Sequence, residues 1–279
     1  MLKYSRRKFI KLLSMLGLTG VLSRIFFFEK FFFDLNKFDL NVTTKTLTKG
    51  EHFFKVILIS DLHLQSIGIL EKKVVSLINN AEPDLLILNG DSIDKASKLS
   101  ILNELLNMMN HKIEKVAILG NWEYWGNIDL EGLSIVYKTN NCQLLVNKST
   151  KYQFGNKSIS VIGVDDYIGG KIDYSTAVNN FEKSDLNLLL SHCPQFYDEF
   201  TSKQKNEIDI DLVLSGHTHG GQVNIFGFVP FKPKGSGRFL NGWYGENWPF
   251  LYVTKGLGYS ILPIRLGVSP EVTVFNIYK

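Results

Sequence analysis

The sequence predicts an α/β fold, a sandwich of two sheets with helices outside. Three observations carry that expectation. The chain has 279 residues, 44% apolar and 21% charged, enough to bury a large core. Its first half alternates short apolar runs with stretches of helical spacing, an order that favours parallel strands. Its second half adds five further apolar runs.

The elements follow in chain order. FFKVILIS at 53–60 is apolar, partly β-branched and bounded by polar residues, so it reads as a buried strand. Residues 68–80 place Leu70, Val74, Leu77 and Ile78 on one helical face. PDLLILNG at 83–90 is a second buried strand. Residues 97–109 carry Leu99, Leu102, Leu105, Leu106 and Met109 along a helical stripe, and KVAILGN at 115–121 is a third strand. SISVIGVDD (158–166), DLNLLLSH (185–192), IDLVLSGHTH (210–219), FLYVTKG (250–256) and EVTVFNIY (271–278) complete the strands. Residues 227–249 are rich in Gly, Pro, Trp and Tyr and read as a long functional or mobile loop. The folded domain is expected to begin near Thr46, dividing the chain into 1–45 and 46–279.

Charge is unevenly placed. Lys3, Arg6, Arg7, Lys8 and Lys11 crowd the start, and without them the remaining 26 basic residues balance 27 acidic ones. A near-neutral body argues against nucleic acid as a partner. The basic cluster runs into an apolar stretch, Leu12 to Leu22, and then into Phe26–Phe28 and Phe31–Phe33. That layout is an export signal or a membrane-interface anchor; a packed helix of the soluble domain is the alternative. Ser5-Arg6-Arg7-Lys8-Phe9-Ile10-Lys11 resembles the bacterial twin-arginine signal, a receptor-read address. It implies a membrane-associated protein or one exported to the cell envelope. Cys142 and Cys193 are too few for a structural zinc cage; two buried thiols are expected, with a disulfide as the alternative.

The strand ends carry the chemistry. The first ends in Asp61-Leu62-His63, the second in Gly90-Asp91, the third in Gly120-Asn121, and two later ones in His192 and in Gly216-His217-Thr218-His219. Ligands bind beyond the carboxyl ends of strands in open α/β sheets. Carboxylates and imidazoles without thiolates suit Mn, Fe or Zn. Asp91 can bridge two ions through its two oxygens, and such pairs clamp an in-line displacement at phosphorus.

Together, D-x-H at 61–63, G-D at 90–91, G-N at 120–121, His192 and G-H-x-H at 216–219 resemble the calcineurin-like metallophosphoesterases from about residue 50 onward. The resemblance implies a four-layer α/β/β/α sandwich of two mixed sheets and two divalent metal ions. It implies that Asp61, His63 and His219 hold one metal, that Asn121, His192 and His217 hold the other, and that Asp91 bridges. The implied activity is hydrolysis of a phosphodiester or phosphoanhydride bond by a metal-bound hydroxide attacking in line. A scaffold that keeps the fold without the chemistry is the alternative.

One departure narrows the substrate. Most relatives carry a histidine after the G-N pair, taken to protonate the leaving group; this chain has Trp122. Indole donates an N–H but cannot deliver a proton near neutral pH. Phosphoanhydrides and activated diesters, whose leaving groups need less protonation, are therefore expected over alkyl monoesters, unless Glu123, His52 or His111 replaces the acid. Trp122 and Glu123 are candidate substrate contacts; Trp122 and Trp125 alternatively pack in the core. Lys232, Lys234, Arg238 and Arg265 are candidate phosphate contacts, Arg265 foremost, with surface charge as the alternative for the lysines. The G-H-T-H-G-G-Q stretch and the segment after Val253 also resemble membrane-associated bacterial members, a branch that includes UDP-2,3-diacylglucosamine pyrophosphatases of lipid A synthesis. That resemblance implies a phosphorylated small-molecule or lipid substrate, with the cytoplasmic membrane face as an alternative location.

Overall fold

A computed structural model describes residues 40–279, apart from 49, 51–52, 204–207 and 247–248. The twin-arginine-like stretch, the aromatic segment after it and His52 lie outside the described residues. Residues 40–279 form one unit.

The first sheet has the order β1-β12-β2-β3-β4-β5. Its strands are β1 (Asn41–Thr48), β2 (Phe53–Ile59), β3 (Leu85–Asn89), β4 (Glu114–Ile118), β5 (Cys142–Leu145) and β12 (Glu271–Tyr278). Strands β2 to β5 are mutually parallel, as are β1 and β12, while β12 runs antiparallel to β2. The second sheet has the order β10-β11-β9-β8-β7-β6. It is built from β6 (Lys148–Phe154), β7 (Lys157–Gly163), β8 (Leu186–Leu190), β9 (Leu212–Ser215), β10 (Gly242–Tyr244) and β11 (Phe250–Val253). Strands β7, β8, β9 and β11 are parallel, with β6 and β10 antiparallel at the edges.

The apolar runs are continuous because these strands are buried on both faces. Side chains alternate across a strand, so each run feeds two cores. In β2, Phe54, Val56 and Leu58 meet Leu188, Leu190 and Leu212 of the facing sheet. Ile57 and Ile59 turn outward onto α1 (Ile69–Ala81), α2 (Leu99–Asn107) and α4 (Leu130–Thr139), through Val74, Ile78, Leu102, Leu106 and Tyr137. On the far side, Ile162, Leu189 and Val213 pack under α5 (Tyr174–Val178) and α6 (Phe196–Lys203). The result is the expected four-layer α/β/β/α sandwich.

Local signals set the helix starts. Gly68 leads α1, and its N–H donates to Glu71 Oε2 at 2.8 Å, satisfying a donor that the first turn leaves free. Asp129 caps α4 by accepting from Glu131 N at 3.1 Å. Both cysteines are buried free thiols. Among the described residues, no helix is long and apolar enough to cross a membrane.

Three expectations need correction. The sheet begins at Asn41, not near Thr46, because β1 is a half-buried edge strand of alternating threonines that makes no apolar run. The third strand stops at Ile118, and Asn121 opens α3 (Asn121–Trp125) instead of ending a strand. The long loop 227–249 contains β10, a three-residue edge strand paired with β11.

Candidate metal centre

All seven candidate ligands lie past the carboxyl ends of parallel strands or at the start of α3, and all are buried. The first sheet's strand ends supply Asp61, His63 and Asp91, and α3 supplies Asn121; the second sheet supplies His192, His217 and His219. The main chain keeps pairing beyond β2 and β3: Asp61 N donates to Gly90 O and His63 N to Asp91 O, both at 3.0 Å. This continued pairing holds the two ligand arms side by side.

Five of the seven have left-handed backbone: Asp61 (φ 55°), His63 (42°), Asp91 (52°), His217 (69°) and His219 (51°). Each such non-glycine residue costs on the order of 1–2 kcal/mol. The surrounding hydrogen bonds must hold them there. The turn they impose takes the chain out of regular strand geometry. Their donor atoms gather past the strand ends.

The sheets meet at Asp61. His217 N donates to its carboxylate at 2.9 and 3.1 Å, joining a loop of the second sheet to an arm of the first. Gly216 permits that approach, because a Cβ there would meet Ser60 Oγ and lie 2.5 Å from Asp61 Oδ2.

Two donor groups result, each with its ligand atoms within 4.8 Å of one another: Asp61, His63 and His219 in one, Asp91, His192 and His217 in the other. Asp91 Oδ2 joins them. It lies 3.1 Å from His192 Nε2 and 3.6 Å from His63 Nε2. Its other oxygen, Oδ1, accepts the main-chain N–H of Trp122 at 2.9 Å.

A second ring of partners orients the imidazoles. Asp94 Oδ1 sits 2.5 Å from His63 Nδ1, Asn89 O 2.7 Å from His192 Nδ1, and Lys234 O 2.8 Å from His217 Nε2. These contacts leave His63 Nε2, His192 Nε2 and His217 Nδ1 turned to the centre. Of the three partners, only Asp94 left a mark legible in the sequence, a carboxylate three residues after Asp91. Main-chain carbonyls carry no side-chain signal.

Glu123 corrects an expectation. It is buried, and its carboxylate accepts Gly120 N at 2.8 Å, Asp91 N at 3.1 Å and Ser92 N at 2.6 Å. It braces the backbone under Asp91 and does not face substrate. Burial, then the charge of Asp91, raises its pKa to about 7. Arg265 is turned toward the candidate centre. Its guanidinium is buried, donating to Gly258 O at 2.6 Å and Lys255 O at 2.9 Å, with Nη2 3.2 Å from His219 Nδ1. It stands beside a candidate ligand, with Nη1 buried and without a hydrogen-bond partner among the described residues. Arg238 pairs with Asp198 on the surface, and Lys232 donates to Gly237 O. Trp122 is half-buried, edge-on to His63 and to the exposed Trp125.

The donor set fits cations. Burial opposes charge on every imidazole. On His192 the carboxylate of Asp91 overrides it and raises the pKa; on His63, Asp94 and then Asp91 do the same. On His219 burial, then His63 and Arg265, drives the pKa well down, and on His217 burial and His192 lower it. Burial would raise Asp91, but His192 pulls it to about 2. His63 Nε2 and His219 Nε2 face each other at 3.1 Å. Asn121 Oδ1 is buried without any hydrogen-bond partner among the described residues, and His192 Nε2 is buried with the Asp91 carboxylate 3.1 Å away. Buried imidazoles gathered around two carboxylates are a donor set that divalent cations satisfy.

The comparison that decides the family is a match to the calcineurin-like phosphoesterases over residues 54–221, more than half of the chain. The chain belongs to that family. This calcineurin-like phosphoesterase is 28% identical over 250 residues to the metallophosphoesterase YkuE of Bacillus subtilis, covering 85% of the chain and 83% of the relative. It is 31% identical over 234 residues to the metallophosphoesterase Cj0846 of Campylobacter jejuni, covering 80% of the chain and 59% of that protein. A Danio rerio protein described as a transmembrane protein with a metallophosphoesterase domain is 28% identical, covering 84% of the chain and 55% of its own length. The family points to a phosphorylated substrate and a phosphoester hydrolase that uses divalent metal.

Proposed function

We propose that the protein is a dinuclear-metal hydrolase of a phosphodiester or phosphoanhydride bond, acting on a membrane-lipid or cell-envelope substrate. One observation carries the dinuclear reading: Asp91 Oδ2 lies within 3.6 Å of an imidazole nitrogen from each donor group. Asp61, His63 and His219 would hold one cation and Asn121, His192 and His217 the other, with Asp91 shared. Two divalent cations there would polarise the phosphoryl oxygens and lower the pKa of water.

The chain's own residues then set the substrate. Asp94, Asn89 and Lys234 hold three rings in orientation. Trp122 occupies the place beside His63 with a group that cannot donate a proton near neutral pH. Glu123 cannot replace the missing acid, because three N–H groups occupy its carboxylate. His111 lies exposed in the turn before β4. A leaving group that departs without protonation fits best: a phosphate from a diphosphate, or an aryl oxide from a diester. A nucleotide diphosphate linked to a lipid, as in UDP-2,3-diacylglucosamine, belongs to that class. The basic, aromatic start of the chain and the name of the Danio rerio relative support a membrane setting.

The test is purified protein with Mn or Zn, assayed on a bis-aryl phosphodiester, a nucleotide diphosphate, UDP-diacylglucosamine and an alkyl monoester. The expected outcome is turnover of the first three and little of the last. Comparable turnover of an alkyl monoester and a matched diphosphate overturns the substrate reading. Absence of bound metal in the wild type, equal to Asp91→Ala, overturns the dinuclear reading in favour of a scaffold.

A further inference from the structure

Two loops beyond the His219 turn push apolar side chains into solvent. Residues 222–231 expose Ile225, Phe226, Phe228 and Phe231; residues 260–266 expose Ile261 and Leu262. Phe226 is fully exposed at 106% and Ile261 at 81%. The loops are stitched into one surface. Val223 bridges Leu266, and Asn224 N donates to Leu266 O at 2.8 Å. The Gln222 side chain donates to Ser260 O and Leu262 O at 3.1 and 3.0 Å and accepts Ser260 N at 2.8 Å.

Both tips have left-handed backbone, Phe226 at φ 52° and Ile261 at φ 64°. Bulky and β-branched residues avoid that region, and turn tips favour Gly, Asn or Asp. Water offers nothing to offset large apolar side chains held there. Contiguous exposed apolar surface of this kind marks a protein or membrane contact.

Charge and shape decide between the two. Residues 222–234 and 259–266 contain no acidic residue, and exposed Lys232 and Lys234 follow Phe231 directly. Projecting phenylalanine tips beside lysines suit the boundary between acyl chains and anionic headgroups. A protein partner would instead ask for a flatter, packed face. Arg265, rooted in the second loop, ends 3.2 Å from His219, so the surface adjoins the candidate metal centre.

We propose that these two loops dock on an anionic lipid bilayer, with Phe226, Phe228 and Ile261 entering the acyl boundary and Lys232 and Lys234 at the phosphates. The proposal stands apart from the phosphoesterase reading, because docking needs neither metal nor turnover.

The test uses the full chain with an environment-sensitive fluorophore at Phe226→Cys. Both native cysteines are buried, so the new thiol labels selectively. A second protein carries the label at Ile135→Cys, an exposed position on α4. Vesicles of three parts phosphatidylcholine to one part phosphatidylglycerol should shift the 226 label to the blue and expose it to an acyl-chain nitroxide quencher. The 135 label should stay unchanged, even where residues 1–39 also hold the chain to the vesicle. Adding Phe228→Asp and Ile261→Asp should reduce the 226 response at least tenfold. A 226 label that stays water-exposed on vesicles overturns the proposal. So does a blue label without vesicles: at all dilutions it marks residues 1–39 as the occupant, and one that grows with protein concentration marks a second copy.

Discussion

At Asp91 three demands fall on one residue: a left-handed backbone, an N–H to be satisfied, and two oxygens with different tasks. Glu123 answers the second by accepting Asp91 N, and Trp122 N–H takes one of the oxygens. Glu123→Gln would turn an amide NH₂ toward backbone N–H groups and leave a buried donor unpaired. The expected loss is about 1–3 kcal/mol of stability, read by urea unfolding, with lower metal content by mass spectrometry. Gly120→Ala would set a Cβ on Asp91 Oδ1 and should have the same metal phenotype without changing any charge. Trp122→His should restore a proton donor beside His63. It should raise kcat/KM for an alkyl monoester about 10²-fold relative to a bis-aryl diester; an unchanged ratio would remove Trp122 from the account of specificity. Six of the seven candidate ligands were legible at this scale because they follow apolar strands directly, and Asn121 through the Gly-Asn pair at the start of α3. Glu123 was misread, since a sequence shows a charge but not the direction in which it is turned.

The elements differ sharply in how much of the fold they hold. Leu188 in β8 faces the opposite sheet and is wholly buried, so Leu188→Ala should cost about 2–5 kcal/mol. Thr150 in the edge strand β6 is partly exposed, and its hydroxyl donates to Gln143 at the surface, so Thr150→Ala should stay within about 0.5 kcal/mol. Denaturant midpoints of the two variants make the comparison. The same contrast explains which elements were legible. Central strands such as β2, β3, β8 and β9 print apolar runs. Edge strands β1 and β6 alternate polar residues and print none. The short α3 is specified by Gly120 and Glu123 more than by any periodic face, and it went unread as a helix.

For the whole molecule, the candidate centre is a seam. Its ligands come from both sheets, and His217 N–H to Asp61 is a direct tie across it. Cations bound there would stabilise the docked sandwich and not either sheet alone. Adding Mn or Zn at a hundredfold excess over the dissociation constant should raise unfolding free energy by about 2.7 kcal/mol. A chelator should reverse the gain, and Asp91→Ala should abolish it. Calorimetry with and without metal reads all three.

Strand β12 lies between β1 and β2, pairing with both. During synthesis those two early strands have no neighbour to share until residues 271–278 leave the ribosome. Closure of the first sheet therefore waits for β12, and a nascent chain halted before residue 271 should be protease-sensitive and hand its open strand edges to a chaperone.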